Sequence, residues 1–284
     1  MSLLVQLTYA WQAMLHSLAY LRRGTLWVPL LLLGALQLAV VGLLWGFAHP
    51  AVSWFMAPLL ARLAGAEVLR YPNVFRVMPG LYAQMGVVLG AVVGSVAVGA
   101  ATVLFAAHAR GRPASVGEAL GAAWRKGLTL IAVNLPFNLL AVALSYGLEW
   151  WIARRGSGPM VQRATYAGVL AGSIVLQSMF FYVSALVMLE GRGVMGTMAA
   201  LTQSWARGFW AATLVGIMMV IPLLPIHMLS GRSSMLVDRG TPELVGWMVL
   251  MQWGLELVTW FLLAGSSTVL YLSLVAGPAE GGAP

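Results

Sequence analysis

LWVPLLLLGALQLAVVGLLWGFA, residues 26–48, decides the fold. It carries no charge, and Gln37 is its single polar interruption. About 20 consecutive apolar residues are enough to cross the hydrocarbon core of a bilayer as a helix. The rest of the chain has the same character. Of 284 residues, 61% are hydrophobic and 8% charged, whereas a soluble domain carries about 25% charged residues. Too little charge is present to cover a water-facing surface, so lipid is the solvent for much of the chain.

Working outward, five further apolar stretches match the first. The spans expected are TM1 at 26–48, TM2 at 81–107, TM3 at 128–151, TM4 at 164–189, TM5 at 209–229 and TM6 at 244–275. The predicted fold class is an all-α integral membrane protein of six transmembrane helices, forming a single membrane domain over residues 1–284 with a tail at 277–284. TM2 is rich in Gly, Ala and Val, and Gly90, Gly94 and Gly99 leave room for close helix packing. Pro136 lies between Asn134 and Asn138 in TM3, and TM5 holds Pro222 and Pro225. Proline inside a helix removes one backbone bond and predicts a break or kink at these places.

Three amphipathic segments are expected to lie in the interface plane. In residues 3–21, Leu4, Leu7, Trp11, Met14, Leu18 and Leu21 share a face. In 115–126, Ser115 and Glu118 form a capping box, and Val116, Leu120 and Trp124 follow on one face. In 194–207 the face is Val194, Met198, Leu201 and Trp205. Each segment ends in a basic residue and a glycine, and a span follows at once. The joints read LRRGTLW, WRKGLTL and WARGFWA. The second and third align without a gap, Leu120 with Leu201, Trp124 with Trp205 and Gly127 with Gly208. A threefold internal repeat follows, each unit made of a surface helix, an odd span and an even span. The 49–80 connection is aromatic and holds four prolines, so it is expected to be an interfacial loop, with a surface helix conceivable at 52–63.

The net charge is +8, and Lys126 is the one lysine. The cations sit singly or in pairs beside apolar runs, which suits anionic lipid headgroups and not nucleic acid. Candidate headgroup or partner contacts are Arg22, Arg23, Arg125, Lys126, Arg207, Trp124 and Trp205. Lys and Arg divide eight against eight between the two sides of the predicted topology, so a bare count sets no orientation. The paired cations at the surface-helix ends favour a cytoplasmic N-terminus. Arg22 and Arg23 follow the first apolar stretch, the reverse of a cleavable signal. The chain has no cysteine, which excludes disulfide and thiolate chemistry.

LVMLEGRGVMGTMAALTQSWARGFWAATLVGIMMV, residues 186–220, resembles a recurring bacterial pattern. An apolar span ends in an acid and a glycine. A short helix carrying Ser-Trp and a basic residue follows, then a new span. The matching positions are Glu190, Gly191, Ala200, Ser204, Trp205, Arg207 and Phe209. In this respect the chain resembles the uncharacterised YciC-like inner-membrane proteins and the membrane domain preceding some glycerophosphodiester phosphodiesterases. The resemblance implies a multi-pass protein of the bacterial inner (cytoplasmic) membrane. No phosphodiesterase domain accompanies it here, so that activity does not carry over.

Glu256 is the most unusual residue, an acid well inside TM6. An ionised carboxylate at mid-bilayer costs about 2.5–3.5 kcal/mol on insertion scales. A partner such as Gln252, one turn away, or a protonated state would lower that cost. With Asn134, Asn138 and His227 it makes a candidate intramembrane polar site. No catalytic, cofactor or metal constellation appears, the four histidines lacking ligand spacing, and no cofactor is implied. The expected function is that of a non-enzymatic scaffold or accessory subunit, bound to membrane lipids and to other membrane protein subunits. The competing expectation is a transporter or ABC-type permease with its path at Glu256.

Overall fold

The structure, a computed structural model, describes residues 2–155 and 158–276. Its elements are helical. They are α1 (Leu3–Ala19), α2 (Gly24–Trp45), α3 (Pro50–Ala64), α4 (Asn73–Leu89), α5 (Ser95–Ala109), α6 (Val116–Arg125), α7 (Gly127–Arg155), α8 (Pro159–Phe180), α9 (Val183–Leu189), α10 (Val194–Val220), α11 (Leu224–Ser230), α12 (Ser233–Asp238) and α13 (Glu243–Leu270). Among the described residues no strand occurs, and six helical segments are long and apolar enough to cross a membrane: Gly24–Trp45, Asn73–Ala109, Gly127–Leu144, Arg163–Leu189, Val194–Ser230 and Glu243–Val275. The protein is therefore a multi-pass α-helical membrane protein.

Several boundaries differ from the sequence expectation. The 49–80 segment is not a loop. His49 caps α3 by accepting from the Ala51 amide, and Pro50 stands in the first turn, where its missing N–H costs nothing. α4 starts at Asn73 and carries Pro79 inside it, so TM2 begins a full two turns earlier than residue 81. α7 runs unbroken through Pro136. The expected break does occur in TM5, where a 3-10 turn at Ile221–Leu223 holds Pro222. The third surface segment and TM5 are one helix, α10, with no interruption at Gly208.

The chain divides into two compact units. The first comprises the described residues of Met1–Pro29, Ala91–Met219 and Trp260–Pro284. At its centre is α5, whose small side chains are buried almost all round, from Ser95 through Ala100 and Ala101 to Ala106. An added Cβ at Gly99 would run into the Leu130 side chain, so glycine there sets the approach of α5 to α7. α1 lays its small-residue stripe, Ala10, Ala13 and Ser17, onto the unit and leaves Leu4, Trp11 and Leu18 exposed. The Ser17 and Ser266 hydroxyls meet at 3.2 Å. α6 does likewise, burying Ala119 and Ala123 while Trp124 stays 80% exposed. Leu4, Trp11, Leu18 and Trp124 thus point outward, the arrangement lipid favours and water does not, while Met14 turns into the unit.

The second unit comprises Leu30–Gly90 and Val220–Thr259. Its core joins Leu44 and Phe47 to Met56, Leu60, Phe75, Met78 and Tyr82, with Val245 and Val249 of α13. Polar contacts hold its α4–α12 margin: Arg76 pairs with Asp238 at 2.6 Å, and the Ser233 hydroxyl donates to the Arg76 carbonyl.

Candidate functional site

Glu256 lies about 20 Å along α13 from Glu243 at 1.5 Å per residue, deep in the span. Both of its carboxylate oxygens accept hydrogen bonds. The Tyr82 hydroxyl donates to Oε2 at 2.9 Å, and the Gln252 amide donates to Oε1 at 2.8 Å. The Ser230 hydroxyl donates in turn to the Gln252 Oε1 at 3.4 Å. Tyr82 is fully buried and Glu256 half-buried. Two donors on one carboxylate offset part of its insertion cost. The pairing of Gln252 with Glu256 follows from their one-turn spacing. Tyr82 and Ser230 were not predicted from sequence. The one available signal was a tyrosine inside an apolar span, whose hydroxyl requires a partner when buried.

The other predicted members do not join this cluster. The Asn134 amide donates to the Leu130 carbonyl, and the Asn138 amide to the Asn134 carbonyl, each at 2.9 Å along their own helix. Both bonds run back one turn within α7, which continues unbroken through Pro136. The His227 ring bonds the Leu223 carbonyl at 2.9 Å and is otherwise exposed. Gln37 is the exception within the spans, its Oε1 buried with no partner among the described residues.

At the surface-helix joints the cations are used in a recurring way. Arg23 donates to His108, in the last turn of TM2, at 3.4 Å. Lys126 donates to the Val187 carbonyl, in the last turn of TM4, at 2.9 Å. Arg207 donates to the Val275 carbonyl, at the end of TM6, at 3.0 Å. Thus in every proposed repeat the joint cation clasps the end of that repeat's own even span. Lys126 and Arg207 there meet carbonyls of the last helical turn, whereas Arg23 meets a side chain. Lys126, Arg207 and Trp205 are accordingly committed to the protein, Trp205 by its indole N–H on the Met179 carbonyl at 2.7 Å. Arg22, Trp124 and Arg125 remain exposed.

The residues of the 186–220 pattern serve this same architecture. Glu190 accepts from the Tyr271 hydroxyl and from Arg192. Gly191 adopts a positive φ of 73°, ending α9 as only glycine does cheaply. The Ser204 hydroxyl bonds back to the Ala200 carbonyl. Gly208 gives its carbonyl to the buried Tyr182 hydroxyl at 3.0 Å. No family model, curated protein or solved structure matches the chain.

Proposed function

We propose that this is a non-enzymatic scaffold or accessory subunit of a bacterial inner-membrane complex, YciC-like in kind, with its N-terminus in the cytoplasm. The observation that carries the reading is how the polar residues of the spans are spent. Asn134, Asn138, Gln252 and Glu256 all bond to the chain's own groups. Such bonds serve the fold and compete with any passing substrate. Outward-facing Trp124 and Arg125 supply the complementary half of the reading, an apolar and basic surface for anionic headgroups or partner subunits.

Affinity purification of the full chain in mild detergent tests this. Glu256→Gln and Asn138→Ala leave the co-purifying subunits unchanged. Trp124→Ala combined with Arg125→Ala removes them without lowering the yield of folded protein, since exposed substitutions change stability by about 0.5 kcal/mol or less. Capture that survives the surface double variant, or that is lost with Glu256→Gln, overturns the scaffold reading.

One observation favours a transporter or ABC-type permease instead. Ser230, Gln252 and Tyr82 gather in a continuous hydrogen-bonded run around the carboxyl of Glu256, the residue type that marks ion and proton paths inside membranes. On that reading Glu256→Gln abolishes ion-coupled flux in reconstituted vesicles while leaving the bundle folded.

A further inference from the structure

Three cations of the first unit converge where its spans end. Arg110 follows α5 directly, Lys126 stands between α6 and α7, and Arg192 follows α9. The Lys126 Nζ lies 3.6 Å from where a Cβ on Gly191 would stand, so it rests against the turn that carries Arg192. Arg110 and Arg192 are both within electrostatic reach of the Tyr271 hydroxyl, near the end of the sixth span. A single carboxylate faces these cations: Glu190 accepts from Arg192 and from the Tyr271 hydroxyl. Among the described residues the Arg110 side chain has no hydrogen bond or ion pair. The Lys126 ammonium donates to the neutral Val187 carbonyl. That bond fixes its place and leaves its other N–H donors free. Three cations against one carboxylate leave two positive charges without a counter-charge. Like charges gathered in one place repel one another, and an anion set among them relieves the repulsion.

We propose that Arg110, Lys126 and Arg192 hold the head of one phospholipid carrying two negative charges, either a phosphomonoester or a pair of phosphodiesters. Four features select this chemistry. The Arg110 guanidinium presents a fork that matches phosphate oxygens, and Lys126 adds a point charge. The ends of spans lie at headgroup depth, so a lipid phosphate reaches them without leaving the bilayer. Leu128 and Met195 follow Lys126 and Arg192 closely in sequence and are 86% and 82% exposed, a surface for acyl chains that a soluble phosphate would not use. Two uncompensated charges match a doubly charged head better than the single charge of phosphatidylglycerol. The site deepens the headgroup half of the proposed function, on side chains other than Trp124 and Arg125. Its test reads lipid and not subunits, so the failure of one is distinguishable from the failure of the other.

The full chain is delipidated in detergent and titrated with single lipids under native mass spectrometry. One molecule of dioleoylphosphatidic acid or of tetraoleoyl cardiolipin is retained about tenfold more tightly than dioleoylphosphatidylglycerol, and dioleoylphosphatidylcholine is lost. Arg110→Gln weakens the retained lipid about tenfold. Arg22→Gln, at another joint, leaves it unchanged. Both positions are exposed, so both variants keep the fold. Equal affinity for phosphatidylglycerol overturns the proposal. So does an equal loss in Arg110→Gln and Arg22→Gln, which would make the basic face a diffuse counter-ion surface. Unchanged affinity in Arg110→Gln also overturns it. Displacement of the lipid by millimolar inorganic phosphate would make the ligand a soluble anion and overturns the lipid assignment. The lipid ranking on the unmodified chain decides the charge preference even if a variant fails to fold.

Discussion

Replacing Gly208 by alanine tests why the third joint is helical where the other two are broken. An added Cβ there overlaps the Tyr182 hydroxyl and comes within 3.0 Å of its Cζ. Tyr182 is fully buried and its ring is rigid, so the neighbour has little freedom to give way. Overpacking of this kind costs about 1–3 kcal/mol. Loss of the Tyr182 bond to the Gly208 carbonyl adds about 0.5–1.5 kcal/mol. Against these, alanine gains about 1 kcal/mol in helix propensity over glycine. The expected net loss is about 1–3 kcal/mol, or a fall in Tm of about 2–10 °C for a chain of this length. Thermal unfolding in detergent, followed by tryptophan fluorescence, measures it. Tyr182→Phe removes the overlapping hydroxyl, so the double variant recovers at least about 1 kcal/mol relative to additivity. A Gly208→Ala protein as stable as the parent, or a cycle with coupling below about 0.5 kcal/mol, refutes the reasoning.

Two further outcomes follow from the same geometry. Lys126→Met costs about 1–2 kcal/mol by stripping the buried Val187 carbonyl of a charged donor, while the exposed Arg207→Met costs less than about 1 kcal/mol; chemical denaturation of the two variants side by side checks the order. The Tyr71 phenol is held above its ordinary value of 10 by donating to the Glu243 carboxylate at 2.5 Å. Its contribution is therefore present below pH 10 and lost as pH rises through the raised value. The difference between absorbance titrations of the parent and Tyr71→Phe places the missing ionisation above 10, and Glu243→Gln brings it down.

Hydropathy alone located six spans because each is an apolar run with no more than one charged residue within its predicted bounds, longer than the bilayer requires. The first two joints were equally legible, since Gly24 and Gly127 do start new helices. The third joint carries the same letters, yet there the glycine serves a close approach by Tyr182 from another helix. Nothing within seven residues of Gly208 distinguishes the two uses. Prolines misled in the 49–80 segment for a related reason. Pro50 sits in a first turn and Pro58 and Pro79 inside helices, so spacing to a helix start matters more than the residue itself. At the candidate site, Gln252 was visible from Glu256 by helical period. Tyr82 lies far upstream on another helix, and only tertiary packing brings it to the carboxylate. The joint cations were read from sequence as headgroup or partner contacts. Their sequence context points to headgroups, whereas three of them instead reach protein groups at even-span ends.

The near-complete enclosure of α5 has a consequence for biogenesis. This helix belongs to the second span made, while the helices that wrap it, α7, α9 and the later ones, are still unsynthesised. Its alanines, with Gly99 and Ser95, carry little side-chain bulk, so it enters the bilayer as a smooth rod. Until α7 and α9 arrive, that smooth surface is open to pairing with any other helix nearby. Translation order thus leaves the eventual centre of the first unit as its most adhesive nascent part, and an insertase that shelters α5 until the fourth span emerges would govern the yield of correctly folded protein.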